Sequence, residues 1–143
     1  METSPSPVLE GAGRAFGDTS YFFALLSATD PDHPAAMRIA QQIAIGQVEV
    51  LTTWDVVSET ATLLRYRWTH AAAAKFLTRL VPEMTILQPD EDDRIAAIRL
   101  FLRKRDLKLS LCDALSYVVV STRLDWAPCL SFDADFCGLT VVR

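Results

Sequence analysis

The stretch Arg14-Ala15-Phe16-Gly17-Asp18-Thr19-Ser20-Tyr21-Phe22-Phe23-Ala24-Leu25-Leu26 decides how the rest of the chain is read. Residues 14–17 have weak strand character and stop at Asp18, and Thr19-Ser20 then opens an apolar helical stretch from Tyr21 to Leu26. A strand that runs straight into a helix is half of a β-α-β unit, and the pattern recurs downstream. Ala36, Ile39, Ala40 and Ile43 return at helical spacing until Gly46. Residues 48–52 have strand composition, and Val56, Thr60, Leu63 and Leu64 mark a helix behind them. Thr69 is placed to cap a helix running to about Leu80, and residues 84–87 form another short strand between Pro82 and Pro89.

The last third continues the alternation. Acids at Asp90, Glu91, Asp92 and Asp93 precede Ile95, Ile98 and Leu102, with Arg103-Lys104-Arg105 at the far end, the charge order that a helix macrodipole favours. Leu111, Ala114, Leu115 and Val118 define a final helix, and residues 127–132 and 139–142 are closing strands. The whole predicts an α/β fold, a three-layer α/β/α sandwich around a mainly parallel sheet. Ligands of such sheets sit at the carboxyl ends of the strands.

A length of 143 residues suits one domain of roughly 100 to 150 residues. Residues 1–13 carry Ser4, Pro5, Ser6, Pro7, Gly11 and Gly13 with little that is apolar, and are expected to be a flexible tail before a single domain at 14–143. Half of the residues are hydrophobic and 22% are charged, as in a soluble globular protein. No uncharged apolar run nears the roughly 18 residues that span a bilayer, and the start lacks a cationic n-region with an apolar h-region, so no membrane association is expected. Cys112, Cys129 and Cys137 form no CxxC pair and are odd in number, which points away from a disulfide framework or zinc knuckle and makes the cytoplasm the expected compartment. Acids exceed bases by 18 to 14, so net charge offers nucleic acid no support unless several acids bind a dication.

The acids fall at informative places. Asp18 stands where the first strand ends, either as an N-cap or at the ligand edge. Glu59 shares a helix side with Val56 and Leu63 and so interrupts an apolar stripe, unless Thr60, Ala61 and Leu64 define the core side and leave Glu59 at its margin. Asp113 follows Ser110 by three, which reads as a capping box, yet its surroundings are mostly apolar. Asp133 and Asp135 follow the strand residues Cys129-Leu130-Ser131-Phe132; Asp133 and Ser131 would point the same way, and Asp135 alone suits a turn. Acids gathered at one sheet edge repel by roughly 1 to 4 kcal/mol per pair at 4 Å. A hard dication removes that cost, and a set without thiolates or histidines favours Mg2+ or Mn2+ over zinc. His33 and His70 read as surface residues.

Asp18-Thr19-Ser20, Ser58-Glu59, Cys112-Asp113-Ala114 and Ser131-Phe132-Asp133-Ala134-Asp135-Phe136, in this order and spacing, resemble PIN-domain ribonucleases. Size and opening pattern are most similar to VapC-type toxins of bacterial toxin-antitoxin pairs, over essentially all of residues 14–143. The resemblance implies that Asp18, Asp113 and Asp133 bind one or two Mg2+ or Mn2+ ions and that Glu59 supports them directly or through water. It matches Ser20 and Ser131 to hydroxyls that orient ligands and Asp135 to a more variable acid. The short, weak first strand departs from the strongly apolar one usual in the family.

The resulting expectation is metal-assisted endoribonuclease hydrolysis of RNA phosphodiester bonds. Arg65, Arg67, Arg103, Lys104, Arg105 and Lys108 are candidates for holding the RNA backbone. The resemblance further implies a homodimer and a small antitoxin whose tail blocks the acidic site; Tyr21, Phe22, Trp54 and Trp68 are candidate interface residues. A second reading is phosphoryl transfer through an aspartyl phosphate, since Asp133-x-Asp135 after a strand is similar to the haloacid-dehalogenase pair and acid clusters occur in receiver domains. The nearness of that pair to the chain end and the presence of only Lys75, Lys104 and Lys108 as lysines argue against it. A third is a non-catalytic PIN-like binding module.

Overall fold

A computed structural model describes residues 9–106, 108–133 and 139–143. The strands β1 (Arg14–Gly17), β2 (Glu49–Thr53), β3 (Thr85–Leu87), β4 (Cys129–Leu130) and β5 (Val141–Val142) form one parallel sheet in the spatial order β3-β2-β1-β4-β5. The weak strand of the opening motif therefore lies at the centre. Ala15 stands opposite Val50 on one side, and Gly17 stands opposite Leu130 on the other. Small side chains suffice there because both neighbours supply backbone partners and helices cover both faces.

The helices are α1 (Thr19–Leu26), α2 (His33–Gly46), α3 (Trp54–Arg67), α4 (His70–Lys75), α5 (Glu91–Arg103) and α6 (Leu111–Arg123). Thr53 Oγ1 accepts the Val56 amide at 3.2 Å to start α3, and Thr69 Oγ1 accepts the Ala72 amide at 3.0 Å to start α4. The helix expected from Thr69 to Leu80 continues past α4 as a π-helical stretch, Phe76–Leu80, and a 3-10 turn, Val81–Glu83, that contains Pro82. The core fills with Phe16, Phe22, Leu64, Phe76, Val119 and Leu130. Tyr21 and Phe22 belong to this core and are not surface residues, whereas Trp54 and Trp68 are exposed. His33 is half-buried, its Nδ1 2.7 Å from the Ala24 carbonyl oxygen, so only His70 is a surface histidine. Leu9, within the stretch read as a tail, is buried in the core, and its carbonyl accepts the Ala12 amide.

Helix α5 turns a different face inward from the one its sequence suggests. Ile95, Ile98 and Leu102 are 41, 47 and 64% exposed, while Asp93, Ala97 and Leu100 are buried. Ala97 and Leu100 join Leu109, Ala114, Leu115 and Val118 in a second, smaller core against α6. Asp93 is admitted because Arg123 Nε donates to its Oδ2 at 2.8 Å. Among the described residues no helix is long and apolar enough to cross a membrane.

Gly17 carries a steric requirement. A Cβ there would stand 2.2 Å from Phe22 Cζ, and that ring is held between Tyr21 and Phe76, with centroids 5.4 and 5.3 Å away. Gly17→Ala is expected to lower unfolding free energy in urea by about 1–3 kcal/mol. Adding Phe22→Leu should recover part of that loss, so that the double variant falls short of the sum of the singles.

Candidate functional site

From β1 the chain builds outward to β2 and β3, then crosses to the other side for β4 and β5. Beyond the carboxyl end of such a switch point the connections diverge and leave a crevice. Asp18 is the first residue past β1, and its amide donates to the Leu130 carbonyl at 3.0 Å, which ties it to the end of β4. Asp18 is 3% exposed and occupies the N-cap position of α1, without a side-chain capping hydrogen bond of ordinary geometry. Instead Ser20 Oγ and Ser131 Oγ both donate to Asp18 Oδ2 at 2.9 Å. Those hydroxyls accept in turn from the Phe132 amide at 2.9 Å and the Asp133 amide at 3.0 Å. Burial pushes the Asp18 carboxyl above its ordinary range; the Ser131 and Ser20 hydroxyls and the Thr19 and Ser20 amides oppose the shift.

Glu59 sits at the margin of the buried side of α3, which consists of Val56, Val57, Thr60 and Leu64. Its Oε2 accepts the Thr19 hydroxyl at 3.1 Å. Asp113 forms the capping box that its spacing predicts: its amide donates to Ser110 Oγ at 3.0 Å and its Oδ2 accepts the Ser110 amide at 3.2 Å. Its pKa is nevertheless pushed up to about 6, first by burial and then by the charge of Asp18; the Ser110 amide and hydroxyl oppose the shift, and the charge of Asp133 adds to it. The cap therefore coexists with an electrostatic conflict among three acids distant in sequence.

Asp18, Glu59, Asp113 and Asp133 line one cavity of about 430 Å3. Asp30 and Asp32, from the connection between α1 and α2, line it too. In sequence, Asp30-Pro31-Asp32 reads only as a loop; its acidity is the one signal present, and nothing local says which way a loop folds back. Thr19, Phe23, Leu63 and Phe132 complete much of the wall, and Arg67 stands in it as a cation. Lys104, Arg105 and Lys108 line a neighbouring hollow that shares Ser110 with the acidic cavity. Arg65 lies elsewhere, beside His70 Nδ1, and Arg103 lines neither hollow. Asp135 falls outside the described residues.

Carboxylates and hydroxyls are the donor chemistry of a hard dication. Among the described residues no group of three or more His, Cys, Asp or Glu side chains is placed to hold a metal ion. Magnesium needs none, because it keeps several waters and takes one or two carboxylates. Burial raises the pKa of both Asp18 and Asp113, and at Asp113 the charges of Asp18 and Asp133 add to the rise. The donor chemistry of the residues fits such an ion.

The sign of the pH effect follows. An unfolded Asp113 loses its proton near 4 and the folded one near 6, so in metal-free protein its contribution to stability is greatest below about pH 4 and declines as pH rises to 6. In EDTA, the stability of Asp113→Asn relative to the parent should therefore increase between pH 4 and pH 7, read as the difference in melting temperature at each pH. A constant or shrinking difference would contradict the assigned shift.

Residues 15–141, from the second residue of β1 to the first of β5, match the PIN domain family. Among solved structures, VapC20 of Mycobacterium tuberculosis, a sarcin-ricin loop cleaving toxin, is 30% identical, with a TM-score of 0.73 over 85% of this chain and 92% of that one. A comparison with curated protein sequences gives no match. With its parallel sheet, its crevice at the central strand and a match across nearly its whole length, this chain belongs to the PIN domain family and is homologous there to a VapC-type toxin.

Proposed function

We propose that this protein is a cytoplasmic, Mg2+- or Mn2+-dependent endoribonuclease and the toxin of a toxin-antitoxin pair. One observation carries the reading: Asp18, Glu59, Asp113 and Asp133, dispersed in sequence, line a single cavity at the sheet switch point. In this reading Asp18, Asp113 and Asp133 hold one or two ions, with Glu59 in support; Asp135 is a secondary acid. When bound, the dication supplies charge neutralisation and an acidified water able to attack a phosphodiester at neutral pH.

The chain's own groups do the positioning. Ser20 and Ser131 fix the Asp18 carboxylate through one oxygen. Ser110 fixes Asp113 at the head of α6. Arg67, in the cavity wall, is placed to meet a substrate phosphate, and Lys104, Arg105 and Lys108 extend the cationic surface next door. The related toxin is named for cleaving an RNA loop, which favours RNA as the substrate class here. An antitoxin would find an apolar groove beside the acids, lined by Trp54, Ile98, Leu111 and Leu115 and sharing Glu59 with them. A second copy of the chain would cover Ile95, Phe101 and Leu102, exposed on α5.

Cleavage of structured and single-stranded RNA should require Mg2+. Asp18→Asn and Asp113→Asn should each reduce it by more than the roughly 10–100-fold that loss of a group behind the ligands costs, with folding retained by circular dichroism. Normal cleavage by both variants would overturn the mechanism. Lys104→Gln with Lys108→Gln should weaken RNA binding uniformly across sequences and flatten its salt dependence by about one unit of slope for each phosphate no longer neutralised.

A further inference from the structure

We propose that Thr19 is a positioning residue that sets the Glu59 carboxylate for a divalent cation. The proposal rests on the metal-dependent reading of the site. Glu59 is half-buried on α3, and a glutamate has three side-chain torsions to fix before it can act at a defined point. The Thr19 hydroxyl reaches Glu59 Oε2 at 3.1 Å from forty positions away in the chain.

The placement of the donor is informative. Thr19 directly follows Asp18. It neighbours one acid of the cavity in sequence and serves another, which couples Asp18, just before α1, to Glu59 on α3. At the first position of α1, Thr19 has no preceding helical turn whose carbonyl its hydroxyl would otherwise meet. It is 9% exposed, so the bond to Glu59 satisfies a hydroxyl largely withdrawn from water. The donor is uncharged. A lysine or arginine in its place would orient Glu59 but cancel the charge a dication needs, whereas a hydroxyl orients it and leaves that charge intact.

The test is Mn2+ binding to RNA-free protein, followed by calorimetry and by the loss of the free-ion electron paramagnetic resonance signal. Thr19→Val keeps the shape of the side chain and removes the donor; Mn2+ affinity should fall about tenfold, and Thr19→Ser should return it to within about twofold of the parent. In EDTA, Thr19→Val should melt within about 3 °C of the parent, which separates positioning from packing. Parent-like Mn2+ affinity in Thr19→Val, or failure of Thr19→Ser to restore it, overturns this proposal alone. A parent protein that binds no Mn2+ overturns it together with the metal-dependent nuclease reading.

Discussion

The rest of the structure depends on one carboxylate being held in the wrong solvent. Asp18 is 3% exposed at the end of the central strand, and its carboxylate is held by hydroxyls rather than by a cationic side chain. A buried charge is costly unless compensated, and here the compensation comes from two serine hydroxyls with their own backbone supports, joined by the Thr19 and Ser20 amides. Neutral donors hold the acid in place without neutralising it. The shortfall remains as a raised pKa at Asp18, and burial together with the charge of Asp18 raises that of Asp113.

A second buried aspartate shows that this treatment is not the general rule of the fold. Asp93 is 5% exposed, and it receives Arg123, whose Nε lies 2.8 Å from its Oδ2, together with the Asp90 amide at 3.0 Å. That pair ties the start of α5 to the end of α6 and so helps to set the course of α6, whose first turn carries Asp113. One acid is paired and serves the architecture. The other, equally buried, is oriented and left with its charge, which is the preparation a cation site requires.

Sheet order makes the convergence possible. Because β1 is central and its neighbours are built in opposite directions along the chain, the residues after β1 and after β4 meet at one crevice. Helix α3 brings Glu59 to it from the β2 side, and α6 brings Asp113 from the β4 side, since α6 precedes β4 in the chain. Gly17 permits the sharp passage from strand to acid by leaving room for the Phe22 ring beneath it.

The alternation of strands and helices was legible from periodicity and turn residues alone, as were the capping box at Ser110 and Asp113 and the acids that interrupt apolar stretches, because each is a property of neighbours in sequence. Which side of α5 turns inward was not: Ala97 and Leu100 bury against Leu109, Ala114, Leu115 and Val118, and Arg123 pairs with the buried Asp93. Nor could spacing reveal that Asp30 and Asp32 fold back to the acidic cavity, or that Thr19 serves Glu59 rather than its own helix. Local pattern determined the elements and the candidate acids. Tertiary packing alone decided which charges share a cavity and which neutral groups hold them, because burial and repulsion depend on distances through space that the order of residues does not contain.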